Sequence, residues 1–205
     1  MELSKKPLKL SAAEGDFGKD KFFIPGGGSY YPSAYRKAKR LSICSKCFAY
    51  FNKKKKFLEH INACKLLPGK LIYEHAENDD KYEFYEVDGA QEYNFCINLC
   101  LFAKIWLESK DLDDGIEKLE TFYYYLLTIR KVRGDHEIVG YFSKNKDFYT
   151  DSEFSLHLGS IVVFQQGCGY GTWLVDLSHK LSMVQRKPGV PETPYSYEGK
   201  KLYIK

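Results

Sequence analysis

The chain has 205 residues, 44% of them hydrophobic and 16% aromatic, with a formal net charge of +4. That length suits one large domain or two small ones, and the apolar content is enough for a real core, which excludes a disordered tail. No apolar run is long enough to span a membrane, Met1–Leu10 lacks the apolar stretch of a secretory signal, and the mild charge permits contact with nucleic acid without demanding it.

Residues 1–28 read as a poorly ordered basic segment, with Lys5, Lys6, Lys9, Lys19 and Lys21 spread along it and Gly26, Gly27 and Gly28 closing it. Short strands are expected between Tyr30 and Tyr50, followed by a helix over Lys53–Asn62. Lys70–Glu74 and Lys81–Val87 alternate enough for a strand pair, with Asp79 and Asp80 in the turn. Tyr93–Ser109 is the clearest helix, because Cys96, Leu99, Ala103 and Trp106 recur at helical spacing. Phe122–Ile129 and Glu137–Ser143 are β-rich runs joined by the polar loop at Arg133, Gly134 and Asp135, the pattern of an antiparallel hairpin. Phe154–Phe164 reads as a further strand. Gly171–Val184 reads as a helix with Leu174, Leu177, Leu181 and Val184 as its stripe.

Two places carry chemistry. Cys44 and Cys47 are separated by two residues, Cys47 and His60 by twelve, and His60 and Cys64 by three. That spacing puts two thiolates on a tight knuckle and the other two donors one turn apart on a short helix, the pattern of tetrahedral zinc. All four positions are filled, so the site is structural and leaves no open position for catalysis. Thiols on metal fit a reducing compartment, cytosol or nucleus, and leave Cys96, Cys100 and Cys168 over. Arg36, Lys37, Lys39 and Arg40 precede this finger and Lys53–Lys56 lie within it. Such a face could rest on a phosphate backbone without sequence preference, or be a solvated surface.

The second place is the junction Gln166-Gly167-Cys168-Gly169-Tyr170-Gly171, between a strand and an amphipathic helix. Glycines at a helix N-terminus let backbone N–H groups approach a pyrophosphate, though glycine is also the default residue of a plain turn. It is not a dinucleotide fingerprint, since the preceding sheet reads as antiparallel and no acidic residue sits at the ribose distance.

From about Tyr30 to Tyr203 the chain resembles the MYST histone acetyltransferases. The resemblance rests on the zinc set and on Phe84-Tyr85-Glu86-Val87-Asp88-Gly89, Cys96–Lys104 and Val139-Gly140-Tyr141-Phe142-Ser143-Lys144. It continues through the Gln166–Gly171 loop and Pro191-Glu192-Thr193-Pro194-Tyr195-Ser196. It implies an α+β, GNAT-like core with a mixed, mostly antiparallel sheet, and an N-terminal Cys-Cys-His-Cys finger. The finger with its flanking strands would occupy 29–90 and the core 91–205. Acetyl-CoA would lie along Ile161, Val162, Val163 and Phe164, with its pyrophosphate on Gln166, Gly167, Cys168, Gly169, Tyr170 and Gly171 and with Ser196 near it. The implied reaction moves an acetyl group to a histone lysine, with Glu192 as general base and Lys110 as the self-acetylated lysine. Histone tails or the nucleosome, a multisubunit complex and a nuclear location follow from the same likeness.

The chain also departs from the family pattern. Ser160 falls at or beside the family's cysteine near the acetyl group. A serine without a partnering base is a poor nucleophile, so direct attack by the amine is favoured over a ping-pong route. Gln165-Gln166-Gly167 replaces a longer run that holds a proline and an arginine, and Asp111–Glu120 is longer than its counterpart. The core ends at Lys205, short of the family's further helices and strands, which reads as a truncated product or a reduced member. The alternative function is a catalytically weak or inactive chromatin-binding scaffold that retains the finger.

Overall fold

The computed structural model describes residues 13–17, 20–24, 31–35, 38–64, 67–77, 80–105, 107, 118–130, 136–146, 149–150, 153–154, 158–186, 191 and 197–203. The chain divides into two compact units, 1–67 with 98–108, and 68–97 with 109–205.

In the first unit β1 (Ala13–Phe17), β2 (Asp20–Ile24), β3 (Arg40–Ile43) and β4 (Tyr50–Phe51) form a sheet in the order β2-β1-β3-β4. β1 pairs antiparallel with β2 and parallel with β3. Within the segment expected to be poorly ordered, residues 13–17 and 20–24 form these two paired strands. The lysines of that stretch hid the strands, and their pairing is partly non-local. Helix α1 (Lys54–Ala63) follows β4. Phe48, at φ 58, closes the turn between β3 and β4 with its ring fully buried, 5.2 Å from that of Phe102.

The second unit is built on a five-stranded sheet in the order β11-β8-β7-β6-β5, antiparallel at every pairing. Its strands are β5 (Lys70–Glu77), β6 (Asp80–Asp88), β7 (Phe122–Arg130), β8 (His136–Asn145) and β11 (Leu158–Val163). The α+β class therefore holds. The β5–β6 pair, assigned from sequence to the finger's part of the chain, belongs to this larger sheet, because Phe84, Tyr85 and Val87 register against Leu127, Leu126 and Tyr124 of β7. The expected hairpin of β7 and β8 is present, with Tyr125 stacked on Phe142 at 4.8 Å.

Of the expected strand Phe154–Phe164, residues 155–157 lie outside the described residues. β10 (Glu153–Phe154) pairs with β9 (Tyr149–Thr150), and β11 covers Leu158–Val163. Helix α2 (Tyr93–Ala103) is shorter than the expected Tyr93–Ser109, because the Ile105 N–H turns to the Phe102 carbonyl in a tighter turn; Trp106 and Ser109 lie outside the described residues. Helix α3 (Tyr170–Gln185) packs Leu174 onto Phe84, Tyr125, Val139 and Phe142, with Leu177 and Leu181 beside them. Val184, assigned to that stripe, is 82% exposed, because none of the described elements covers the last turn. A short helix α4 (Tyr197–Tyr203) completes the described chain.

Candidate functional site

The zinc residues converge as the spacing requires. The β3–β4 turn carries Cys44 and Cys47, and is held by Cys44 N–H donating to the Ala49 carbonyl at 2.9 Å and by Phe48 N–H donating to the Cys44 carbonyl at 2.9 Å. Helix α1 supplies His60, and Cys64 caps its C-terminus through an N–H bond to the His60 carbonyl at 2.8 Å. The ring of Phe51 packs 4.9 Å from that of His60 and fixes its orientation. The four donor atoms lie within 4.8 Å of one another, the one such set among the described residues. Cys44 Sγ is 3.9 Å from Cys64 Sγ, and Cys47 Sγ is 3.2 Å from His60 Nε2. Zinc–sulfur bonds of about 2.3 Å and zinc–nitrogen bonds of about 2.0 Å require donor separations of about 3.5–3.8 Å in a tetrahedron. The donor set of three thiols and an imidazole fits Zn2+, and small side-chain shifts would bring the separations of 3.2 Å and 3.9 Å to the tetrahedral values.

The knuckle thiols also interact directly. The hydrogen bond from Cys47 pulls the Cys44 thiol down to about 4, and the same contact raises that of Cys47. Metal binding would require the thiols deprotonated. Lys53–Lys56 are exposed at the start of α1, where the first turn holds no acidic residue and Lys53 makes no side-chain cap. Cations at a helix N-terminus oppose its dipole.

The second site is the end of β11. Phe164 N–H donates to the Val139 carbonyl at 2.8 Å, and Gln165 Nε2 donates to Glu137 Oε1 of β8 at 2.7 Å. Gly167 and Gly169 then adopt φ 80 and φ 79, and a Cβ on either would meet nothing within 4 Å. The left-handed backbone at both positions explains two glycines here. Gly169 is the N-cap of α3, and its carbonyl accepts from Thr172 N–H at 3.1 Å. The loop Gln166–Gly169 is exposed, and residues 165–171 include no cation. An anion there would be held by backbone N–H groups and the helix dipole.

Ser160 lies upstream on the same strand. Gly159 is the extra residue of a bulge, since Leu158 registers with Lys144 and Ser160 with Ser143. The Ser160 and Ser143 hydroxyls are 2.8 Å apart, and Ser160 N–H donates to Ser143 Oγ at 3.0 Å. Leu158 also forms an isolated parallel bridge with Pro191, the residue before Glu192. Glu192, Ser196 and Lys110 themselves lie outside the described residues. Sequence reasoning singled out Ser160 but missed its partner Ser143. It missed Lys144 too, which is fully buried and donates to the Ser178 carbonyl at 3.1 Å and to Ser182 Oγ at 2.6 Å. Both missed residues sit in the Val139–Lys144 run, whose apolar character masked them.

Comparison with known proteins agrees with this geometry. The sequence matches the MYST family zinc finger domain over residues 25–64 and the MOZ/SAS family over residues 66–205. It is 36% identical over 183 residues to a protein named histone acetyltransferase esa-1 from Neurospora crassa, covering 88% of this chain and 34% of that one. It is 34% identical over 168 residues to a histone acetyltransferase Tip60 homolog from Caenorhabditis elegans, covering 81% and 34%. Over 178 residues it is 37% identical to histone acetyltransferase mst2 from Schizosaccharomyces pombe, covering 85% and 41%. The chain spans about a third of the length of the first two of these relatives. A solved aminoglycoside acetyltransferase from an uncultured soil metagenomic sample aligns over 63% of this chain and 88% of its own, at 15% identity and a TM-score of 0.39, too distant to carry an argument. On the two family matches, which together run from residue 25 to residue 205, the chain belongs to the MYST (MOZ/SAS) family.

Proposed function

We propose that the chain is a protein-lysine acetyltransferase that moves an acetyl group from acetyl-CoA to a histone lysine by direct, general-base-assisted attack. The observation that carries this reading is the Leu158–Pro191 bridge. It sets Pro191, the residue that precedes Glu192 in the sequence, against the strand that leads into the glycine loop, which supports reading Glu192 and that loop as parts of one site. Acetyl-CoA runs along Ile161–Phe164 with its pyrophosphate on Gln166–Gly171 and Ser196 nearby. A free lysine amine has a pKa of about 10.4 and is nearly all protonated at neutral pH, so a base must act first. Glu192 takes that proton, directly or through water. The amine nitrogen then bonds to the thioester carbon, and coenzyme A leaves as a thiolate that is reprotonated.

Ser160 is not the nucleophile in this scheme, because its hydroxyl meets another serine rather than a base. Lys110 is the self-acetylated residue. The zinc finger is structural, and its exposed Lys53–Lys56 contact DNA phosphates without sequence preference. The setting is nuclear, within a multisubunit assembly on the nucleosome. The lack of a cation in the 165–171 loop favours the scaffold alternative, since phosphate binding there rests on backbone groups alone.

Thermal unfolding with increasing acetyl-CoA separates the two readings. A ligand that binds only the folded state stabilises it by about 2.7 kcal/mol at a hundred times its dissociation constant. A rising, saturable midpoint is expected, and an unmoved midpoint contradicts the acetyl-CoA site.

A further inference from the structure

The serine pair on β8 and β11 has a preferred direction. A serine hydroxyl carries one proton and two acceptor lone pairs. Ser143 is 3% exposed, and its Oγ already accepts the Ser160 N–H, the backbone donor beside the Gly159 bulge. Suppose Ser160 also gave its hydroxyl proton to Ser143. Both Ser143 lone pairs would then be filled, and its own proton would have no acceptor among the described residues, in a site closed to solvent. A buried donor left unsatisfied is costly. The opposite direction satisfies every group. Ser143 donates to Ser160 Oγ across 2.8 Å, and Ser160 keeps its own proton for a third partner.

That unspent proton sits on a half-buried side chain, two residues from the Leu158 bridge to Pro191. Among the described residues Ser160 has no base behind it, which disfavours loss of its proton and attack. A fixed, neutral donor is suited instead to an oxygen on which negative charge grows. We infer that Ser160 is a catalytic residue that donates a hydrogen bond to the thioester carbonyl oxygen of acetyl-CoA, and that Ser143 is the positioning residue that aims it. This rests on the acetyl-CoA reading above. As the amine nitrogen adds, the carbonyl π electrons move onto oxygen and the bond from Ser160 strengthens. As coenzyme A leaves, the carbonyl re-forms and Ser160 still holds its proton. Gly159 belongs to the same device. A Cβ there would stand 3.0 Å from Phe122 Cε1 and 3.1 Å from Ser143 Oγ, so a side chain would push Ser143 off its line.

The test uses acetyl-CoA labelled with carbon-13 at the thioester carbonyl, bound to the full chain and read by infrared difference spectroscopy. Kinetics on a histone-tail peptide are measured in parallel. The variants are Ser160→Ala, Ser160→Thr and Ser143→Ala. The carbonyl band is expected at lower wavenumber in the wild type and in Ser160→Thr than in Ser160→Ala, with Ser143→Ala between them and broadened. Loss of one such donor costs about a hundredfold in kcat. Ser160→Ala should show that loss with KM for acetyl-CoA unchanged, and Ser160→Thr should recover most of it. A band at the same position in wild type and Ser160→Ala, with acetyl-CoA bound to both, overturns the donor role and leaves the acetyl-CoA site standing. Absence of any bound carbonyl band in the wild type overturns the acetyl-CoA site itself, and the donor role with it.

Discussion

Replacing Lys144 with methionine should make the protein more stable at neutral pH and flatten its stability in alkali. Lys144 is fully buried, and its amine meets only the Ser178 carbonyl and Ser182 Oγ; no carboxylate faces it among the described residues. Burial pushes it from 10.5 down to about 8. A displacement of that size corresponds to about 3 kcal/mol of penalty on the charged form. The two hydrogen bonds return about 1 kcal/mol each. Ser182 Oγ still donates to the Ser178 carbonyl at 3.0 Å without the lysine, so methionine strands neither oxygen. The balance leaves Lys144→Met ahead by about 1 kcal/mol at pH 7.

The sign with pH follows from proton counting. Below pH 8 the lysine is charged in both the folded and the unfolded chain, and the full penalty applies. Between pH 8 and 10.5 the unfolded chain binds more protons, so wild-type stability rises with pH. Above 10.5 the penalty is gone. Urea unfolding at pH 7.5 and at pH 10 gives the wild-type and variant stabilities, and their difference cancels other titrating groups. That difference should move by about 2 kcal/mol in favour of the wild type as the pH rises. A difference that stays constant with pH, or a variant less stable by about 2 kcal/mol at pH 7.5, would refute the reasoning; the second result would mean that the lysine's hydrogen bonds outweigh its burial.

Metal analysis of the purified protein should find one zinc per chain, and His60→Ala should lose metal and solubility together; full zinc in that variant would contradict the ligand set. Gly169→Glu should abolish acetyl-CoA binding in calorimetry, because it places bulk and negative charge in the open space before α3 and strains a left-handed N-cap. Unchanged affinity there would misplace the phosphate site. Changing Lys54, Lys55 and Lys56 together to Gln should weaken binding to any duplex DNA and flatten its salt dependence, by about 0.9 in slope for each phosphate no longer neutralised. An unaltered slope would assign those lysines to plain solvation.

The parts of the fold that could be read from the sequence are the local ones. The Cys-x-x-Cys knuckle and the His60–Cys64 turn announce their geometry through spacing alone. The β7–β8 hairpin does so through β-rich runs about a polar loop, and α3 through period, since Leu174, Leu177 and Leu181 repeat on one helical face. What escaped depends on partners distant in sequence. The lysines of residues 13–24 read as solvated chain, although two strands there pair with each other and one of them with β3. The Gly159 bulge and the Ser143–Ser160 bond exist only once β11 lies against β8, and no spacing rule marks a serine as the partner of another 17 residues away. Glycines 167 and 169 were visible as a loop, and the backbone angles add that both occupy the left-handed region.

Acetyl transfer to a histone-tail peptide, followed from pH 6 to 9.5 in the wild type and in Glu192→Gln, tests the central claim most directly. Loss of a general base costs about a hundred- to ten-thousand-fold in rate. Glu192→Gln should show a drop of that order at pH 7 and recover in part towards pH 9.5, as free amine becomes available without help. A Glu192→Gln rate equal to that of an active wild type would contradict the assigned base, and a wild type that binds acetyl-CoA but transfers nothing at any pH would contradict the acetyltransferase itself and leave the scaffold.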